Sequence, residues 1–167
     1  MIYSLPSQNE PLDQGDLIDG CPTLFVKYFR DDSLGSVDLD CDFCRVIVVT
    51  QTCDLANLKT TTISVAEVFD AQQLIDERTL KSSDIKGPLR AGRIWGMYFL
   101  PASADLGLGE MIVDFRRLHT VRLDLLLALC KSNKRLARVQ TPYREHLAKH
   151  FADSFSRIGL PQPYETM

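Results

Sequence analysis

Four β-branched residues in a row, Val46-Ile47-Val48-Val49, run from Arg45 into a polar turn, Thr50-Gln51-Thr52-Cys53-Asp54-Leu55. An unbroken apolar run this short reads as a strand covered on both faces. The run Thr60-Thr61-Thr62-Ile63-Ser64-Val65-Ala66-Glu67-Val68 follows, with polar and apolar residues closer to alternation, as a second strand. Between them the turn gathers thiol, carboxylate and amide groups at a strand's C-terminal edge, where bound molecules are often held.

The rest of the chain fits around this pair. Residues 1–14 read as an extended arm, residues 15–22 as a short strand and residues 23–29 as a better one. Residues 31–36 read as a loop. Ala71-Gln72-Gln73-Leu74-Ile75-Asp76 predicts a short helix, and residues 77–92 a loop with one turn at most. The aromatic, Pro-terminated run 92–101 and the run 109–115 predict two further strands. From residue 122 to 160 the chain reads as helical: Leu123-Asp124-Leu125-Leu126-Leu127-Ala128-Leu129 is a strong helix former. A last helix has Thr141 as N-cap, Pro142 at its first position and Gly159 and Pro161 at its end. Tyr143, Leu147, Phe151 and Phe155 recur every four residues and form its buried stripe. The expected architecture is a single α+β domain over residues 1–167: residues 15–121 mainly β, as a small SH3-like barrel or curled antiparallel sheet, with C-terminal helices.

With 167 residues, 45% hydrophobic and 25% charged, the chain has the length and composition of one ordinary globular domain. It contains no apolar run of the roughly 20 residues a membrane helix needs. No signal-like leader opens it, and five cysteines, an odd number, suit a reducing compartment; a cytoplasmic, bacterial protein is expected. The net charge of −3 is unevenly spread: residues 116–157 hold ten basic residues and three acids, a charge of +7 against −10 elsewhere. Arg116, Arg117, Arg122, Lys134, Arg135 and Arg138 could meet the phosphates of a nucleic acid. Equally, the basic third and the acidic remainder could neutralise each other inside one fold, with Arg117 and Arg138 pairing to upstream acids.

Three further groups carry possible chemistry. Cys53 beside Asp54 becomes a nucleophile only with a histidine or arginine lowering its pKa; otherwise it is an inert thiol in a turn that Asp54 caps. Cys41-x-x-Cys44 supplies half a zinc site, and His146-x-x-x-His150 sets two imidazoles on one helical face; joined, they make a Cys₂His₂ site. Asp38, Asp40 and Asp42 alternate along an extended segment, either to hold a cation or as a solvated edge that discourages aggregation.

Gly15-Asp16-Leu17, the strand from Arg45, the run Thr62-Ile63-Ser64-Val65-Ala66-Glu67-Val68 and the passage from Ile112 to Leu123 follow one another in an order that resembles the MazF, PemK and CcdB toxin family. The resemblance implies an SH3-like barrel with a C-terminal helix, a homodimer, and metal-independent RNA cleavage in which Arg45 stabilises the phosphate. Where the family's ribonucleases place a threonine, this chain has Phe69, so the resemblance implies the fold more directly than the cleavage. The Thr-Gln-Thr-Cys-Asp-Leu turn is also similar to that of a group of bacterial proteins of uncharacterised activity. The leading expectation is thus a binding module for a protein or nucleic-acid partner, in a toxin–antitoxin or anti-phage defence setting. A second is an RNA endonuclease in which Gln51, Thr52 or Asp54 joins Arg45. A third is a zinc-stabilised adaptor. No cofactor is otherwise expected.

Overall fold

The computed structural model describes residues 1–29, 37–57 and 60–156. Seven strands form one antiparallel sheet: β1 (Tyr3–Ser4), β2 (Asp16–Phe29), β3 (Val37–Val48), β4 (Thr62–Asp70), β5 (Met97–Leu100), β6 (Met111–Arg122) and β7 (Arg135–Val139). Their order is β1-β7-β2-β3-β4-β6-β5. Among the described residues, five α-helices accompany them: α1 (Thr52–Ala56), α2 (Ala71–Asp76), α3 (Ser82–Asp84), α4 (Leu123–Lys131) and α5 (Tyr143–Phe155).

The apolar run does lie in a strand covered on both faces. Val46 and Val48 pack with Ile18, Ile63 and Val65 beneath Leu126 and Cys130 of α4. Ile47 and Val49 face the other way, into Leu17, Ala66, Val113 and Phe115 beneath Leu147 of α5. A third cluster, under α2, gathers Leu74, Ile85, Leu89, Met97 and Ile112. Each fully buried aliphatic side chain here contributes about 1.5–3 kcal/mol.

Of the two forms expected, the sheet takes the open one: β1 and β5 lie at its two ends and share no ladder. The ends nevertheless approach. Tyr3 Oη donates to the carbonyl of Pro101, just past β5, at 2.8 Å, and Tyr3, Tyr98 and Leu100 share one core. The sheet therefore curls without closing into a barrel.

Several elements differ from the sequence reading. Residues 15–22 and 23–29 form one strand, β2, because Gly20 takes φ +67° and lets the chain pass through a bulge between Ile18 and Cys21. The span from 122 to 160 is not wholly helical: β7 lies within it, inserted between β1 and β2. β1 likewise turns part of the expected arm into an edge strand. Residues 77–92 contain α3 and a wide helical turn over Ile85–Leu89. On α5 the buried residues are Leu147 and His150, with Phe151 half-buried, while Tyr143 and Phe155 at the ends of the expected stripe are exposed. Thr141 does not cap it: Pro142 holds that position, and the Thr141 hydroxyl donates to Glu145 at 3.0 Å. The loop at 31–36 and the stop signals Gly159 and Pro161 lie outside the described residues.

Candidate functional site

The polar turn after β3 becomes α1, anchored by the buried Leu55. Cys53 is exposed, its sulfur 3.6 Å from Gln51 Oε1 and 3.9 Å from Asp54 Oδ1. Neither the Asp54 nor the Gln51 side chain caps the helix. Every histidine is engaged elsewhere: His119 with Glu67, His146 with the Tyr98 hydroxyl at 3.0 Å, and His150 among the rings of Trp95, Tyr98 and Phe115. No Cys–His pair forms at this turn.

Arg45 sits at the other end of the buried run. Six residues of extended chain at about 3.3 Å each put it on the order of 20 Å from Gln51. Its Nε lies 3.5 Å from Asp19 Oδ1 and its Nη1 reaches Met111 Sδ at 3.5 Å. The expected set of Arg45 with Gln51, Thr52 or Asp54 is therefore not assembled.

The two halves of the expected zinc site also stay apart. Cys41 and Cys44 lie on β3, not on a tight turn, and three residues along a strand set side chains on opposite faces. Cys44 pairs across the ladder with Cys21 and contacts the Thr23 hydroxyl at 3.4 Å; burial pushes its thiol up. His146 and His150 lie on α5 against Tyr98. Among the described residues no three His, Cys, Asp or Glu side chains come together as a metal ion requires.

Of the basic set, Arg135 and Arg138 are spent inside the fold, while Arg116, Arg117 and Arg122 hold ion pairs with their own side chains more than half exposed. Arg135 and Arg138 converge on the fully buried Asp16, at 3.4 and 2.6 Å. Arg117 pairs with Glu67 at 3.3 Å, Arg116 with Asp114 at 2.7 Å and Arg122 with Asp124 at 2.6 Å. Lys134 is exposed beside them. Mutual neutralisation of the acidic and basic parts describes these residues better than a continuous phosphate-binding stripe.

Two features emerge that the sequence did not single out. The first is an arm. Beyond Cys21 and Cys44, β2 and β3 pair only with each other, because β7 covers only Asp16–Ile18 of β2, and β4 only Val46–Val48 of β3. Directly paired residues share a face of a two-stranded ribbon. Pro22 opposite Phe43, Leu24 opposite Cys41 and Val26 opposite Leu39 make one face wholly apolar. Thr23 opposite Asp42, and Phe25 opposite Asp40, make the reverse acidic, with Lys27 bridging to Asp40 at 3.1 Å. The apolar face stands open: Phe43 is 76% exposed, Leu24 66% and Leu39 60%. Its root borders a cavity of about 490 Å³ shared with Leu118, His119 and Leu125. The alternation of Asp38, Asp40 and Asp42 with Leu39, Cys41 and Phe43 was the available signal; the pairing of the two strands supplies its meaning.

The second is a charged cluster at a bulge. β4 and β6 lose register between Ala66 and Glu67, jumping from Leu118 to Asp114 on β6. Glu67 fills that gap. It is only 7% exposed, and its carboxylate meets His119 Nε2 at 2.6 Å and Arg117 at 3.3 Å. Arg117 lies over the Phe69 ring at 5.2 Å, and Arg45, Glu67 and Phe69 line one cavity of about 260 Å³. Bulges of this kind re-aim side chains and often adjoin functional sites.

No protein-family model, curated protein or solved structure matches the chain.

Proposed function

We propose that the chain is a binding module that engages a protein partner through the apolar face of the β2–β3 arm. One observation carries this reading: of the described residues of that face, Leu24, Val26, Leu39, Cys41 and Phe43 are apolar and exposed beside a half-buried Pro22, while the charges of the described ribbon sit on its reverse. A two-stranded ribbon in water is marginal alone and gains independent stability by packing against something else. An exposed apolar surface of this extent marks an interaction site. A protein fits it better than a nucleic acid, because Arg117, Arg135 and Arg138 pair with buried carboxylates and the arm's charged side is acidic. The resemblance to toxin barrels supplies a toxin–antitoxin or defence setting as the place to look. A photo-crosslinking residue at position 43 or 39, with one at Lys131 on α4 as control, tests the reading. Protein adducts from the two arm positions alone are expected; equal yield from all three positions would sink it.

A second reading is favoured by the cluster around Glu67. Metal-independent RNA cleavage needs a base for the 2′-hydroxyl and cations for the phosphate. His119 receives the hydroxyl proton on Nδ1, Glu67 steadies the imidazolium through Nε2, and Arg117 offsets the phosphate charge. The 2′-oxygen bonds to phosphorus as the 5′-oxygen departs and takes a proton from water, leaving a 2′,3′-cyclic phosphate and a 5′-hydroxyl. In this reading Gln51, Thr52 and Asp54 have no part. Cleavage of a mixed-sequence RNA in EDTA, lost in His119→Asn and Glu67→Gln, is expected; cleavage undiminished in both would remove it.

A further inference from the structure

We infer that the occupant of the arm's apolar face is a second copy of this chain, the two faces packing about a two-fold axis with Cys41 near its counterpart. This rests on the protein-binding reading of the arm and names the partner. Three properties of the ribbon argue for it.

The face is self-complementary. A two-fold contact sets a surface against itself, so any charge on it meets its own sign. Pro22, Leu24, Val26, Leu39, Cys41 and Phe43 carry none, and Asp38, Asp40 and Asp42 alternate with the apolar residues of their strand. Packing by the reverse face would instead oppose acidic rows, relieved among the described residues of the arm by Lys27, which bridges to Asp40.

The area is sufficient. Four large side chains, Leu24, Val26, Leu39 and Phe43, are each more than half exposed. Together they leave on the order of 500 Å² of apolar surface, at the upper end for one patch on a monomer. Two such faces packed together remove about 1,000 Å² from water, where specific interfaces begin. Two twisted ribbons stacked face to face at about 10 Å make a small sandwich, the usual way two sheets bury one face each.

The position is open. Among the described residues, the arm projects past the strands that flank its root, so a second copy reaches it without displacing any part of the sheet.

Sedimentation equilibrium of the full chain in a Cys53→Ser background tests the inference, with thiol reactivity at Cys41 read alongside. The expected result is a two-chain species in which Cys41 is shielded from a bulky maleimide and forms an intermolecular Cys41–Cys41 disulfide with a mild oxidant. Phe43→Asp and Leu39→Asp, both at exposed positions, are expected to weaken association at least about tenfold with unchanged circular dichroism. Lys131→Ala is expected to leave it unchanged. A single-chain species with fully reactive Cys41 would overturn the second copy as occupant while leaving the open face in place. A single-chain species with shielded Cys41 would mean the face is covered by its own chain, and both the inference and the reading beneath it would fall.

Discussion

Asp16 and Arg138 are joined across 122 residues of sequence by two hydrogen bonds, Nε to Oδ1 at 2.6 Å and Nη2 to Oδ2 at 2.9 Å. Asp16 is fully buried at the start of β2, and Arg135 reaches the same carboxylate from the same strand, β7. The two guanidiniums also donate to the carbonyls of Glu10 and Pro11, so one carboxylate organises two strands and the segment that leads into them.

Removing that carboxylate leaves two arginines without their shared counter-charge. Asp16→Ala is expected to cost about 3–5 kcal/mol, the usual result of breaking a buried charge pair from one side. Urea unfolding measures it. Arg138→Met is expected to cost less, because Arg135 remains on the carboxylate.

Burial pushes the Tyr98 hydroxyl from its ordinary 10.0 up to about 12. A raised pKa in the folded state contributes stability that is whole below pH 10 and is lost as pH rises toward 12, because only the unfolded chain then gains the charge. At about 1.4 kcal/mol per unit, Tyr98 accounts for roughly 2–3 kcal/mol of alkaline destabilisation. Tyr98→Phe is expected to flatten the fall in stability between pH 9.5 and 11.5, measured by denaturant titration at each pH.

Thiol reactivity should separate the cysteines by burial. Cys53 is exposed and is expected to label without unfolding. Cys21 and Cys130 are buried; burial raises both, Cys21 to about 11, so little thiolate is present at neutral pH. They are expected to label only on unfolding, and mass spectrometry over a time course distinguishes the sites.

His150 Nε2 is buried among aromatic rings with no hydrogen-bond partner among the described residues. Replacing a buried unsatisfied polar group by an apolar one of similar shape is neutral or favourable. His150→Phe keeps the ring and is expected to raise stability by about 1 kcal/mol. A fall of similar size in the thermal midpoint would contradict the assignment.

What the sequence made legible follows the range of the interaction. Val46–Val49 announce their burial by composition, and the short helix at Ala71–Asp76 has its N-cap one residue ahead, where Asp70 accepts from the amides of Gln72 and Gln73. These are local signals. β7 was hidden because its alternation, Arg135-Leu136-Ala137-Arg138-Val139, places arginines where a strand usually shows apolar residues. They are accommodated only because Asp16 waits more than a hundred residues upstream. Likewise nothing near Glu67 points to His119; the pair exists because the ladder slips at Ala66, and register is a property of two strands together. The candidate residues at 51–54 were legible as a turn, but their separation from Arg45 follows from the extended backbone of β3 between them.

The position of β7 has a consequence for synthesis on the ribosome. β1 and β2 are made first, yet the strand that sits between them, and both arginines that neutralise Asp16, are translated more than a hundred residues later. Until then β2 and β3 have only each other to pair with on that side, the Asp16 carboxylate at their root is unmatched, and the apolar face from Pro22 to Val26 and Leu39 to Phe43 is bare. The N-terminal strands therefore gain β7, one place in from the β1 edge, only when the C-terminal third has emerged.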